Sequence, residues 1–100
     1  MKMGVTLAAL SAVGLAGAAS AQTELSLWYH GAGSANAEEA TMLEVIEEFN
    51  ASQSDWVVTI ESFPPIAYND AVDAAALAGD LPDILDVDGP VMPGWAWAGY

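Results

Sequence analysis

Six residues near the ends of two predicted strands carry chemistry suited to holding a small polar molecule. Aromatic rings stack on the apolar C–H faces of such molecules, while imidazole and carboxylate groups bond to their hydroxyls. One group lies at the end of the first strand and just after it, and the other lies at the end of the third strand. No catalytic role is predicted for any of them. The six candidate ligand-binding residues are Trp28, Tyr29, His30, Gly31, Asp86 and Asp88.

The two aromatic residues and the two aspartates each fit a second role. Trp28 and Tyr29 end a strand, where they can pack in the core as well as face a cleft. Asp86 and Asp88 flank one residue, so alternation places both on the same side of the strand, in a binding cleft or on a solvated turn. His30 lies past the strand end, where polar contact with a ligand is favoured.

Metal and cofactor sites are not expected. If Asp-Val-Asp-Gly at 86–89 belonged to a calcium-binding loop, the first and last positions of that loop would be Ile84 and Trp95. Both positions need oxygen ligands, which these side chains lack. Residues 31–36 imitate a dinucleotide fingerprint, but Asn36 replaces the final small residue. The acid at the end of the second strand, Glu61, is about 30 residues away, whereas that fingerprint needs one about 20 residues away.

The elements that must position these residues follow from hydrophobic periodicity. Alternating and β-branched segments predict strands, and i, i+3, i+4 spacing predicts helices. The resulting strand–helix–strand–helix–strand order is that of a parallel α/β layer. The predicted strands span residues 24–29, 55–63 and 83–88, and the predicted helices span residues 37–49 and 67–78.

Each predicted helix has an apolar side. Asn36 and Glu39 are spaced as a capping box at the start of the first helix. Both helices are expected on one face of the sheet, and the aromatic segment 94–100 is expected to have no packing partner. The chain therefore reads as the N-terminal part of a longer protein. The apolar positions are Met42, Val45, Ile46 and Phe49 in the first helix, and Tyr68, Ala71, Val72, Ala75 and Ala76 in the second.

Charge and composition exclude several function classes. The 100-residue chain has 14 acidic residues and a single basic one, Lys2, and it lacks cysteine. Such an acidic chain repels nucleic-acid phosphates and anionic lipids. Thiol catalysis and disulfides are absent. With one histidine and no Gly-x-Ser-x-Gly elbow, the sequence does not predict an enzyme.

Residues 1–21 have the tripartite pattern of a secretory signal peptide. Lys2 precedes an uncharged apolar run over residues 5–18, and Ala19-Ser20-Ala21 supplies the small residues of a cleavage site before Gln22. The alternative, a membrane anchor, needs a longer apolar run of roughly 20 residues. We therefore expect an exported, periplasmic product that has no direct membrane insertion after cleavage.

Several short segments resemble the family 1 extracellular solute-binding proteins, the sugar-capturing subunits of ATP-binding-cassette importers. The most specific are Ala-Gly-Asp-Leu-Pro-Asp-Ile at 78–84 and Ala-Trp-Ala-Gly-Tyr at 96–100, supported by Leu-Trp-Tyr at 27–29 and Glu-Glu-Phe-Asn at 47–50. The resemblance covers residues 22–100. It implies the start of the N-terminal lobe of a two-lobed periplasmic-binding-protein fold of type II.

The same resemblance implies a function. The protein would capture a sugar or related polar solute and deliver it to the membrane permease subunits of the importer, without a cofactor. The loops at 29–34 and 86–90 would face the cleft, which agrees with the rule that ligands sit outside the carboxyl ends of parallel strands. Two alternatives stay open: a secreted α/β hydrolase with its catalytic residues elsewhere in the protein, and an acidic exported structural or adhesive module.

Overall fold

The computed structural model describes residues 21–34 and 37–100. The predicted signal peptide, apart from Ala21, and the predicted cap at Asn36 lie outside these residues. The strand–helix–strand–helix–strand order is confirmed, with one further helix after it. The elements are β1 Thr23–Tyr29, α1 Glu38–Ser52, β2 Trp56–Ser62, α2 Pro65–Ala78, β3 Ile84–Leu85 and α3 Met92–Ala98.

The three strands form one parallel sheet with β1 in the middle, in the order β2-β1-β3. β1 pairs with β2 along its whole length, from Thr23 opposite Trp56 onward. It pairs with β3 only at its carboxyl end, where Leu27 and Trp28 lie opposite Ile84 and Leu85. The protein is therefore of the α/β class, and the loops after β1 and β3 are neighbours.

The two helices lie on opposite faces of the sheet, not on one face as the sequence predicted. The connection from β1 to β2 steps one way along the sheet, and the connection from β2 to β3 steps back over β1. Because both crossovers are expected to be right-handed, the reversal moves the second helix to the other face. Tyr68 of α2 accordingly contacts His30 and Phe63 on one face. On the other face, the carboxylates of Glu38 and Glu39 in α1 lie close enough to Tyr29 to raise its pKa.

The core is built mainly from β1, β2 and α2. The predicted apolar side of α2 is confirmed, since Tyr68 is 3% exposed and Val72 is fully buried. The predicted apolar side of α1 is not covered: none of the described residues of α1 is buried, and Val45 is 53% exposed. The reason is that α1 packs on β2, the strand at the edge of the sheet.

Several element bounds differ from the sequence prediction, most of them by one or two residues. The first helix continues past Phe49 to Ser52. The third strand covers only Ile84–Leu85 and stops there because β1, its partner within the described residues, ends at Tyr29. The aromatic segment after Val91 forms α3, and Trp95 packs against the Tyr68 ring at a centroid distance of 6.2 Å. The predicted stop of α2 is correct, since Gly79 has a φ of 70°.

Two amide side chains from the end of α1 close part of the outer edge of β2. The Asn50 amide donates to the Val58 carbonyl at 2.9 Å and accepts from the Val58 N–H at 2.8 Å. Gln53 makes the same pair of bonds to Trp56, with both distances 2.8 Å. The two amides take the place of a neighbouring strand and satisfy this stretch of sheet edge.

The Asp83 side chain fastens the start of β3 to β1. The Asp83 carboxylate accepts hydrogen bonds from the backbone N–H and the hydroxyl of Ser26, both at 2.8 Å. The Asp83 N–H donates to the same hydroxyl at 3.0 Å. The bonds from Ser26 lower the pKa of Asp83 from 3.8, because they stabilise the ionised carboxylate.

Within the described ranges 21–34 and 37–100, no helix has the length and apolar character needed to cross a membrane.

We predict that Asn50→Ala destabilises the intact protein by about 1–3 kcal/mol, because it leaves the half-buried N–H and C=O of Val58 without partners. Urea denaturation followed by circular dichroism measures the change. Asn50→Asp keeps the acceptor oxygen and should lose less stability. Glu47→Ala, an exposed substitution on the same helix, is the control. Equal stability of Asn50→Ala and Glu47→Ala would show that the edge bonds contribute nothing.

The bonds to Asp83 predict a pH-dependent contribution to stability. Since its pKa is lowered in the folded protein, the contribution is complete above the ordinary value of 3.8 and is lost as the pH falls through the lowered pKa. Asp83→Asn should therefore be less stable than the unmodified protein at neutral pH, and the difference should shrink below pH 3.8. Urea midpoints of both proteins across this range test it, with the exposed Asp73→Asn as control. A difference that does not vary with pH would contradict it.

Candidate functional site

His30 and two aspartates meet where the carboxyl ends of β1 and β3 lie side by side. His30 Nδ1 is 2.5 Å from Asp86 Oδ2, and His30 Nε2 is 3.4 Å from Asp88 Oδ1. The first contact is close but lacks good hydrogen-bond direction, since Nδ1 has no hydrogen-bond partner among the described residues. We call these three residues the His30 cluster. As alternation predicted, both aspartates are on the same side of their segment.

The three side chains differ in how far they reach into solvent. The His30 side chain is 26% exposed and that of Asp86 is 32% exposed, whereas Asp88 is 69% exposed. Asp86 is therefore held against the imidazole, while Asp88 keeps most of its carboxylate accessible. A ligand arriving at this edge would meet the Asp88 carboxylate first.

Tyr68 of α2 holds the two strand ends together beneath the cluster. Its hydroxyl is 2.6 Å from the Asp86 carbonyl and 3.1 Å from the Trp28 carbonyl, and can donate to either. Burial, followed by the negative charge of Asp86, raises the pKa of Tyr68 to about 12. The hydroxyl thus stays a donor at any physiological pH. The Tyr68 ring also lies 5.4 Å from that of His30, so one residue supports both loops.

Tyr29 and Gly31 form a packed unit under the first loop. Tyr29 is 2% exposed, and its ring and hydroxyl occupy the space that a side chain on Gly31 would need. The Tyr29 hydroxyl has no hydrogen-bond partner among the described residues. Burial raises the pKa of Tyr29, and the nearby carboxylates, led by Glu38, raise it further. This placement gives Tyr29 a role in the core, one of the two roles that the sequence allowed.

Trp28 lies on the face opposite Tyr29 and is half-buried. Its ring packs against Phe63 at a centroid distance of 4.7 Å. Phe63 in turn lies 5.8 Å from Tyr68, which makes Trp28 part of an aromatic layer between β1 and α2. Trp28 therefore supports the site from behind its strand end.

The loop after β1 is held up to Ser34 by one side chain of α1 and one of its own. The Gly33 N–H donates to the Glu39 carboxylate at 3.2 Å, and the Ser34 hydroxyl donates to the Gly31 carbonyl at 2.6 Å. Gly33 has a φ of 74°, a conformation that favours glycine. The Glu39 carboxylate thus occupies the approach that a phosphate would use in a dinucleotide-binding loop.

An apolar cavity of about 190 Å³ lies between α3 and the segment that follows β3. Val87 faces it, while Asp86 and Asp88, on either side of Val87, turn toward His30. This cavity could not be predicted from the sequence, because it depends on α3, whose packing partner is not identified by periodicity. The cavity is lined by Leu85, Val87, Met92, Trp95, Ala96 and Tyr100.

The six predicted ligand-binding residues occupy three places in the structure. His30, Asp86 and Asp88 come together at the surface, whereas Tyr29 and Gly31 pack beneath them and Trp28 lies in the aromatic layer. The sequence missed Tyr68, whose hydroxyl joins the two loops. Among residues 21–34 and 37–100, no three His, Asp or Glu side chains are arranged to hold a metal ion.

Comparisons of the chain with protein-family models, with curated proteins and with solved structures gave no match. The candidate site therefore has to be interpreted from its own geometry.

The packing of Tyr29 over Gly31 predicts that Gly31→Ala destabilises the intact protein by about 1–3 kcal/mol, because the new methyl group would overlap the buried ring. Gly89→Ala is the matched control, since no atom lies within 4 Å of its added methyl position. In a Tyr29→Leu background the cost of Gly31→Ala should fall sharply. Denaturant titration of the four variants and the parent measures both effects. An undiminished cost in that background would contradict the packing argument.

Proposed function

We propose that the chain belongs to a solute-binding receptor that captures a sugar or a related small polar solute at the His30 cluster. The observation that carries the proposal is the meeting of His30, Asp86 and Asp88 at the carboxyl ends of β1 and β3. In an open parallel sheet, ligands bind where the strand order reverses. The order β2-β1-β3 makes the crevice between β1 and β3 that point.

The chemistry of the cluster supports a polar, hydroxyl-bearing ligand. Asp88 offers an exposed acceptor, and His30 adds a donor or acceptor beside it. The half-buried Trp95 packs against the Tyr68 ring, which in turn lies against His30, so aromatic side chains back the cluster. Polar groups that fix orientation beside aromatic surface are typical of sites for small polar molecules.

In this proposal the sheet is the start of the N-terminal lobe of a two-lobed, type II periplasmic-binding-protein fold. A second lobe would close over the exposed Asp88. The protein would work in the periplasm after removal of residues 1–21, and would deliver its solute to the membrane permease subunits of an ATP-binding-cassette importer. The support is the resemblance of residues 22–100 together with the strand order and the location of the cluster.

A secreted hydrolase is the second candidate, because a histidine held by a carboxylate is also part of a catalytic triad. His30 Nδ1 and Asp86 bring the same two groups together, although their contact lacks hydrogen-bond direction. The other nitrogen, however, faces Asp88 at 3.4 Å, in the place where a triad needs its nucleophile. This arrangement favours binding over nucleophilic catalysis.

We predict that Asp88→Ala in the intact protein weakens solute binding by roughly 5- to 150-fold, the equivalent of about 1–3 kcal/mol for a lost hydrogen bond to a buried ligand group. The melting temperature of the ligand-free protein should stay nearly unchanged, because the Asp88 side chain is 69% exposed. A thermal-shift screen of sugars, polyols and amino acids identifies the ligand, and isothermal titration calorimetry gives the affinities.

Glu47→Ala is the control, since it removes the same charge from an exposed position on α1. If no sugar or other polar solute shifts the melting temperature, the receptor proposal is wrong. If a solute binds but Asp88→Ala binds it as the parent does, the ligand contacts other segments.

A further inference from the structure

Every fixed charge around the His30 cluster is negative, and this narrows the ligand class beyond polar solutes in general. The sequence has no lysine or arginine after Lys2. Among residues 21–34 and 37–100, His30 is the one basic side chain, and both of its nitrogens already face carboxylates. This part of the protein therefore has no free cationic donor with which to bind a carboxylate or phosphate on a ligand.

Asp88 is the carboxylate with unused bonding capacity. Its 3.4 Å distance from His30 Nε2 is longer than the usual 2.7–3.2 Å of an N–H···O hydrogen bond. A protonated amine bound there would gain a charge-assisted hydrogen bond, about twice as strong as the bond from a neutral hydroxyl. Asp86 differs, because it lies against His30 Nδ1 and its backbone is held by Tyr68.

The Tyr29 hydroxyl is a second, independent feature of the same location. It lies beneath Gly31, the residue after His30, in a side chain that is 98% buried, and no described residue bonds to it. Buried hydroxyls are nearly always hydrogen-bonded. This one leaves an unused, uncharged hydrogen-bonding group enclosed beneath the loop that carries His30.

From these observations, and resting on the function proposed above, we infer that the His30 cluster selects solutes that carry a protonated amino group or only hydroxyls. Asp88 receives the amino group. Solutes with a carboxylate or a phosphate are rejected by Asp86 and Asp88 together. The ligand class is thus amino sugars and neutral sugars, with amino sugars bound more tightly.

A competition experiment on the intact protein tests this inference. The protein is mixed with equal amounts of glucose, glucosamine, glucuronate and glucose 6-phosphate, together with the neutral, amino and carboxylated forms of one disaccharide. Bound sugars are separated by rapid gel filtration and identified by mass spectrometry. We expect the amino form to be enriched about tenfold over the neutral form, and the anionic forms to be absent.

Asp88→Asn should abolish the amino preference while keeping the neutral sugar, because the amide accepts a hydrogen bond but has no charge. Glu47→Gln, which removes a charge on α1, should keep the preference. Anionic sugars bound as well as neutral ones, or an amino preference that survives in Asp88→Asn, would overturn the inference and leave the receptor proposal intact. A bound fraction without any sugar would refute both.

Discussion

The position of β1 between β2 and β3 is the constraint on which the rest of the structure depends. With both of its edges paired, β1 forces the two crossovers to run in opposite directions, and right-handed connections then place α1 and α2 on opposite faces. The same reversal opens a crevice between the ends of β1 and β3. His30 and the two aspartates meet there, although more than fifty residues separate them along the chain.

The aromatic residues make this crevice a fixed feature of the fold. The Tyr68 hydroxyl reaches the carbonyls of both strand ends, and its ring lies between those of His30 and Trp95. Its raised pKa keeps the hydroxyl a donor, so the link between the two loops does not depend on pH in the physiological range. Core packing and site geometry are therefore supplied by one side chain, while charged groups that could contact a ligand remain at the surface.

Local patterns predicted what local forces determine. The element order, the apolar side of α2 and the Gly79 stop follow from periodicity and backbone preference, and the structure confirms them. Strand order is not a local property, and so the opposite placement of the helices could not be predicted. The sequence placed His30 and Asp86 in one candidate site, but their direct contact depends on the strand order. Asn50 shows the same limit: it follows the helix predicted over residues 37–49, but it lies inside α1 and bonds the edge of β2.

The uneven covering of the sheet follows from the same topology. α2 reaches the central strand through the Tyr68 hydroxyl and is buried through Tyr68 and Val72. α1 packs on the edge strand and leaves Val45 and Phe49 exposed. Asn50 and Gln53 close part of the outer edge of β2, so the sheet is protected on that side by side chains of α1. On the other side, the apolar cavity beside α3 adjoins the short strand β3. The fold thus concentrates its rigid packing behind the crevice between β1 and β3, which is the part that a ligand site requires to be fixed.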